Sequence, residues 1–350
     1  MKYVDSYISV SSKDSIKLDG SESYIRMDNE LKIFIKSALS KLSFNTYPNE
    51  ENTKVRALYA DYVKNGIRED NILLCNGSSE ILSFIIIDAI REGDKILTLS
   101  PECMEYEKYA SFMKGEVIRY ECEKDGAVNI DEFIKLGKEE GVNLVMFSNP
   151  NNPTGHALSL TEIEKILNAF KDIYVVVDEA FYEFYGETAV KLINKYNNLL
   201  VTRTLSRGWG LSSIRVGFLI SNKDVINRFK KIKIKFSVSN VSEMIAEKVL
   251  ENPKKILSKV NSIINEREKL YSILKNIEEE AALEVHFYKS NADYIFGRTP
   301  YKEALIKGLY SAGIHIRDFE DDSFRITVGS TFENNRIIDA LKKIFMYEGE

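Results

Sequence analysis

Residues 201–220 read VTRTLSRGWGLSSIRVGFLI. An apolar run, Leu199–Thr202, enters a turn of small and polar residues at Thr204, Ser206, Gly208 and Gly210. A second apolar run, Val216–Ile220, leaves it. Hydroxyls at Thr204 and Ser206, together with the guanidinium of Arg215, suit a dianionic phosphate: two donors and one bidentate fork. Outward from this stretch, from Val55 onward, short apolar strands alternate with amphipathic helices. That pattern describes a parallel sheet covered on both faces, an α/β fold.

Composition limits what such a fold does. The chain has 350 residues, enough for a large core and more than one typical domain. Hydrophobic residues make up 44% and charged residues 29%, as in ordinary globular proteins. A net charge of −5 argues against nucleic acid as a partner, since that needs a basic footprint. The longest apolar run, Ile81–Ile90, is too short for a membrane span and contains Asp88. No signal peptide is visible, and the three cysteines, Cys75, Cys103 and Cys122, are scattered and odd in number. A reduced, cytoplasmic setting is the expectation. The histidines share no ligand spacing with the cysteines, so no metal site is expected.

Residues 1–30 read as polar and irregular, followed by a helix over Leu31–Leu42 and the turn Tyr47-Pro48. After strand Ile72–Cys75, Gly77-Ser78-Ser79-Glu80 opens the helix Ile81–Arg91. Two readings stand there: an anion site at the helix N-terminus, or plain N-capping by Ser78 or Ser79. Strand Asn143–Ser148 runs into Asn149-Pro150-Asn151-Asn152-Pro153-Thr154-Gly155, dense in turn formers. Strand Ile173–Val177 ends at Asp178, where open α/β sheets bind ligands. The lysines at 230, 231, 233 and 235 read as a solvated helix face. A helical pattern spans Val241–Leu274, interrupted at Pro253, and strands and helices of a small α+β domain follow. The expected division is an N-terminal arm with part of the small domain at 1–45, a large three-layer α/β/α domain with a mostly parallel sheet at 46–252, and a small C-terminal domain at 253–350.

These motifs, in this order from Tyr47 to Gly329, resemble the fold type I pyridoxal-phosphate aminotransferases of class I/II, above all the histidinol-phosphate aminotransferase and threonine-phosphate decarboxylase branch. The family's signature runs Thr-Leu-Ser-Lys, Gly-Leu, Arg-x-Gly, and Arg207 stands at the place of its Schiff-base lysine. The resemblance implies a cofactor cradle of Gly77, Ser78, Ser79, Thr204, Ser206 and Arg215. It implies Asp178 on the pyridine nitrogen, Asn152 on the phenolic oxygen, Cys103 where the family stacks an aromatic ring, and Phe181 where it has a tyrosine. Tyr47 is expected to reach the cofactor phosphate of a neighbouring subunit in a homodimer; a buried tyrosine with a satisfied hydroxyl is the other reading. Arg325, in Arg-Ile-Thr-Val-Gly, is expected to clamp a substrate carboxylate or phosphate. The implied activity is amino transfer between an amino acid or phosphorylated amine and a 2-oxo acid. With arginine in the lysine's place, pyridoxal 5'-phosphate or pyridoxamine phosphate is expected to bind without a covalent link, because a guanidinium stays protonated. A repurposed phosphometabolite-binding protein and a decarboxylase or lyase of the same fold stand as alternatives.

Overall fold

The computed structural model describes residues 15–346. The expectation for residues 1–14 therefore lies outside the described residues. The chain forms two compact units: Glu22–Asn265 with Lys289–Asp293, and the described residues up to Ser21 with Glu266–Tyr288 and those from Tyr294 onward.

The larger unit is built on seven strands. These are β2 (Ile72–Cys75), β3 (Lys95–Ser100), β4 (Glu116–Glu121), β5 (Leu144–Ser148), β6 (Tyr174–Asp178), β7 (Leu199–Thr204) and β8 (Gly217–Ile220), following β1 (Ile16–Leu18) of the other unit. Their order across the sheet is β2-β8-β7-β6-β5-β3-β4. All neighbours are parallel except β8, which runs antiparallel to both β7 and β2. The central strands β5 and β6 are apolar along almost their whole length because helices cover both faces, whereas the edge strand β4, EVIRYE, alternates with exposed positions. Val145, Phe147, Val175, Val177, Leu199 and Val201 join the core on one face. Leu144, Met146, Val176 and Leu200, their alternating neighbours, join the core on the other. This is the three-layer α/β/α arrangement with a mostly parallel sheet read from the sequence.

The smaller unit has β9 (His286–Tyr288), β10 (Tyr294–Arg298), β11 (Ile314–Asp318) and β12 (Ser323–Thr327), in the order β1-β11-β12-β10-β9. Helices Lys302–Ser311 and Thr331–Phe345 supply Leu305, Leu309, Ile337 and Leu341 to its core. It is an α+β unit, as expected. One expectation is corrected. Residues 16–18 are not irregular but form β1, parallel to β11, with Ile16 and Leu18 buried. Three residues are too few for alternation to register as a strand, and only the waiting edge of β11 makes them one. Among the described residues no helix is long and apolar enough to cross a membrane.

Candidate active site

Strand direction gathers the polar residues of the larger unit. β3, β5, β6 and β7 are parallel, so their C-terminal ends share one edge of the sheet. Ser148 lies in register with Asp178, and Asp178 with Thr202. Because β8 is reversed, its first residue, Gly217, lies beside Thr204 at the end of β7 and beside Cys75 at the end of β2. The loops after β2, β3, β5, β6 and β7 and the turn before β8 therefore converge on this edge.

A cradle forms where β2, β7 and β8 meet. The Thr204 hydroxyl donates to Ser206 Oγ at 3.0 Å and accepts the Ser206 backbone N–H at 3.1 Å. Arg215 Nη1 donates to Ser206 Oγ at 3.3 Å. Arg215 itself is left-handed, with φ of 51°, which turns the chain sharply into β8. Its guanidinium lies over Gly77, where an added Cβ would stand 2.6 Å from Arg215 Nη2. The other close approach is at Gly217, where a Cβ would meet the Gly77 carbonyl carbon at 2.4 Å and the Ser78 nitrogen at 2.5 Å. Helix Ser78–Ala89 begins at Gly77 with no side-chain cap on its first turn. Neither Ser78 nor Ser79 is its N-cap, so no serine side chain caps the helix N-terminus, which begins beside the Arg215 guanidinium at Gly77. The Ser79 hydroxyl is 3.1 Å from both oxygens of Glu105.

Asp178 is buried at the mouth of β6. Its Oδ1 accepts from Thr202 Oγ1 at 2.7 Å and from the Ala180 N–H at 3.2 Å, and its Oδ2 lies 3.4 Å from the Tyr106 hydroxyl. Burial pushes its pKa up to about 6, against the pull of Thr202; Glu105 adds to the rise and Arg207 opposes it. The Arg207 guanidinium lies 5.6 Å from the centre of the buried Phe181 ring. Asn152 donates its backbone N–H to Ser148 Oγ at 2.9 Å. Cys103 precedes helix Met104–Phe112, and burial pushes its thiol pKa up. Tyr47 is not buried: its side chain is 81% exposed and stacks on Phe236, with centroids 4.9 Å apart.

In the smaller unit, Arg325 is buried in β12, donates to the Asp19 carbonyl at 3.0 Å and lies 4.8 Å from the Tyr294 ring centre. Thr327 Oγ1 holds the next carbonyl, that of Gly20, at 2.8 Å.

Sequence reasoning missed Thr202, Tyr106, Glu102 and Ser148 as parts of the site. Thr202 and Ser148 are found only through strand register, and Tyr106 only once the helix after β3 is placed. Glu102 carries a signal of its own, an acid in a turn beside an apolar strand end. Among the described residues no cluster of histidine, cysteine and carboxylates could hold a metal.

The residues fit a phosphorylated pyridine aldehyde. A glycine-floored cradle pairs a guanidinium with a helix N-terminus, and a separate buried carboxylate suits a protonated ring nitrogen. The comparisons agree. A model of the aminotransferase class I and II family matches residues 18–341. A histidinol-phosphate aminotransferase of Clostridium novyi is 38% identical over 336 residues, covering 94% of this chain and 92% of that one. The crystal structure of histidinol-phosphate aminotransferase from Sinorhizobium meliloti in complex with pyridoxal-5'-phosphate has a TM-score of 0.84 at 19% identity, covering 94% and 90% of the two chains. That of L-threonine-O-3-phosphate decarboxylase from Porphyromonas gingivalis has a TM-score of 0.78 at 21% identity, covering 94% and 98%. The two structures share the fold.

Proposed function

This chain belongs to the class I and II aminotransferase family, whose cofactor is pyridoxal phosphate, and from that premise we propose that it transfers an amino group between a phosphorylated amine of the histidinol-phosphate kind and a 2-oxo acid. The substrate class follows the Clostridium novyi relative's name. The observation that carries the reading is the pairing of the Arg215 cradle with buried Asp178 on one sheet edge.

Thr204, Ser206, Arg215 and the first-turn N–H groups of Ser78 and Ser79 hold the cofactor's phosphate. Asp178, ionised, would hold a proton on the ring nitrogen, and Asn152 would donate to the phenolic oxygen. Cys103 would offer the ring a small apolar contact in place of an aromatic one. When bound, the cofactor supplies an electron sink for the substrate's α-carbon. Arg325 is the clamp for a substrate carboxylate or phosphate. Tyr47 serves the cofactor phosphate of a second copy, a role its exposure leaves open to it.

Arg207 occupies the position of the lysine that elsewhere bonds to the cofactor and moves the substrate's proton. A delocalised guanidinium neither forms that bond nor gives up a proton readily. The cofactor is thus held through its phosphate and ring, and turnover runs well below that of a lysine-bearing relative.

The test is a titration with pyridoxal phosphate followed by borohydride. Saturable binding with the cofactor still extractable after reduction is expected. In Arg207→Lys reduction should fix it to the protein, and amino transfer from histidinol phosphate to a 2-oxo acid should rise at least tenfold. Absence of saturable binding to the natural chain would overturn the reading.

A further inference from the structure

We infer that Glu102 is a positioning residue for the cofactor ring: it clamps the loop after β5 to the turn after β3 and so sets Asn152 and Cys103 together. The inference rests on the cofactor reading above. Glu102 Oε1 accepts the Cys103 N–H at 2.8 Å and the Ser148 hydroxyl at 2.5 Å. Its Oε2 accepts the Ser148 N–H at 2.8 Å and Asn151 Nδ2 at 3.2 Å. Each oxygen thus takes two donors: one of the four comes from the turn after β3, two from the last residue of β5 and one from the loop that follows it. The clamp then passes outward. Ser148 Oγ, having donated to Glu102, accepts the Asn152 N–H at 2.9 Å. Asn151 Oδ1 accepts the Thr154 N–H at 3.1 Å and its hydroxyl at 2.7 Å.

Filling this space needs no charge, and a carboxylate there is costly. The charged group bearing on Glu102 from β6 is another acid, Asp178. Cys103 and Tyr106, from the turn after β3 and its helix, and Cys122, after β4, also face it. What the carboxylate provides is a four-point junction that a neutral side chain of this size cannot make, since only an ionised acid offers acceptors alone. Burial pushes its pKa up to about 7, while the donors from Ser148 and Cys103 pull it back. Above that pH all four donors find a lone pair; below it, one position carries a proton and the junction loosens. Cofactor affinity governed by Glu102 therefore falls as the pH drops through 7.

Glu102→Gln keeps the shape but turns an amide NH2 toward a donor. Calorimetry with pyridoxal phosphate from pH 5.5 to 8.5, and hydrogen exchange on cofactor-free protein, test the inference. Above pH 7, Glu102→Gln should bind roughly tenfold more weakly, on the scale of one hydrogen bond to a charged group. The step in affinity near pH 7 should disappear, and the Ser148 and Asn152 amides should exchange faster. Ser148→Ala, which retains the carboxylate and cuts its link to Asn152, should reproduce the weakening and carries the test if Glu102→Gln does not fold. Wild-type binding with unchanged affinity and pH profile in both variants overturns the inference and leaves the cofactor reading standing. Failure of the wild type itself to bind overturns both.

Discussion

Asp178 sits between two opposing influences, burial that favours its neutral form and hydrogen bonds from Thr202 and Ala180 that favour the anion. Burial wins, and the folded pKa of about 6 lies above the ordinary 3.8. A raised acid pKa means the native state holds its proton more tightly than the unfolded chain. Stability from this group is therefore present below about pH 4 and is lost as pH rises through 6. Chemical denaturation of cofactor-free protein and of Asp178→Asn at several pH values should show it. The wild type's advantage over the variant should shrink steadily from pH 4 to 7. On the proposed role of Asp178, a cationic ring N–H would favour its ionised form, and Asp178→Asn should then weaken pyridoxal phosphate binding most at neutral pH. Asp178 was legible from its place after Val175-Val176-Val177, but its partner Thr202 was not. Nothing local to Thr202 marks it off from an ordinary strand threonine.

The cradle belongs to three elements at once, the end of β2, the end of β7 and the start of β8. Its closeness depends on glycines. Gly217 is pressed against the backbone at Gly77 and Ser78, so a methyl there must push β8 away from the helix. Gly217→Ala should cost about 1–3 kcal/mol in urea unfolding, the range for overpacking a close-packed site. It should also weaken phosphate binding, since the displaced strand carries Arg215 with it. The same elements remove one of the two readings the sequence left open, N-capping by serine. Gly77 caps the helix Ser78–Ala89 without a side chain, so both serines stay in the first turn. From sequence, serine at the start of a helix reads equally as a cap or an anion donor.

For the whole molecule, a ligand that binds only the folded state adds to stability by mass action. Pyridoxal phosphate at about a hundred times its dissociation constant should raise the unfolding free energy by about 2.7 kcal/mol. Differential scanning calorimetry should follow this as a melting temperature that climbs with cofactor concentration. A melting temperature independent of cofactor would contradict binding to the native state. The gain should be smaller in Arg215→Ala, whose affinity is expected to drop by roughly 1.5–3 kcal/mol with the loss of a charged hydrogen bond.

Hydrophobic alternation and turn chemistry by themselves determined the α/β layers, the α+β unit that follows, and most strand and helix positions. They did so because Leu144–Phe147 and Tyr174–Val177 are apolar at every position, which only a sheet covered on both faces demands. Asp178 and the polar residues of the 204–215 stretch stood out as candidates because each lies in a motif at a strand end, whereas Thr202, Ser148 and Glu102 did not. Only the tertiary structure decided which groups meet. The reversal of β8, the Asp178–Thr202 pairing and the bridge from Glu102 to Ser148 join residues far apart in the chain. β1 exists only because β11 offers it an edge. A residue's type and its near neighbours record its own preference, whereas a contact between distant residues depends on strand order and register, which no short window of sequence contains.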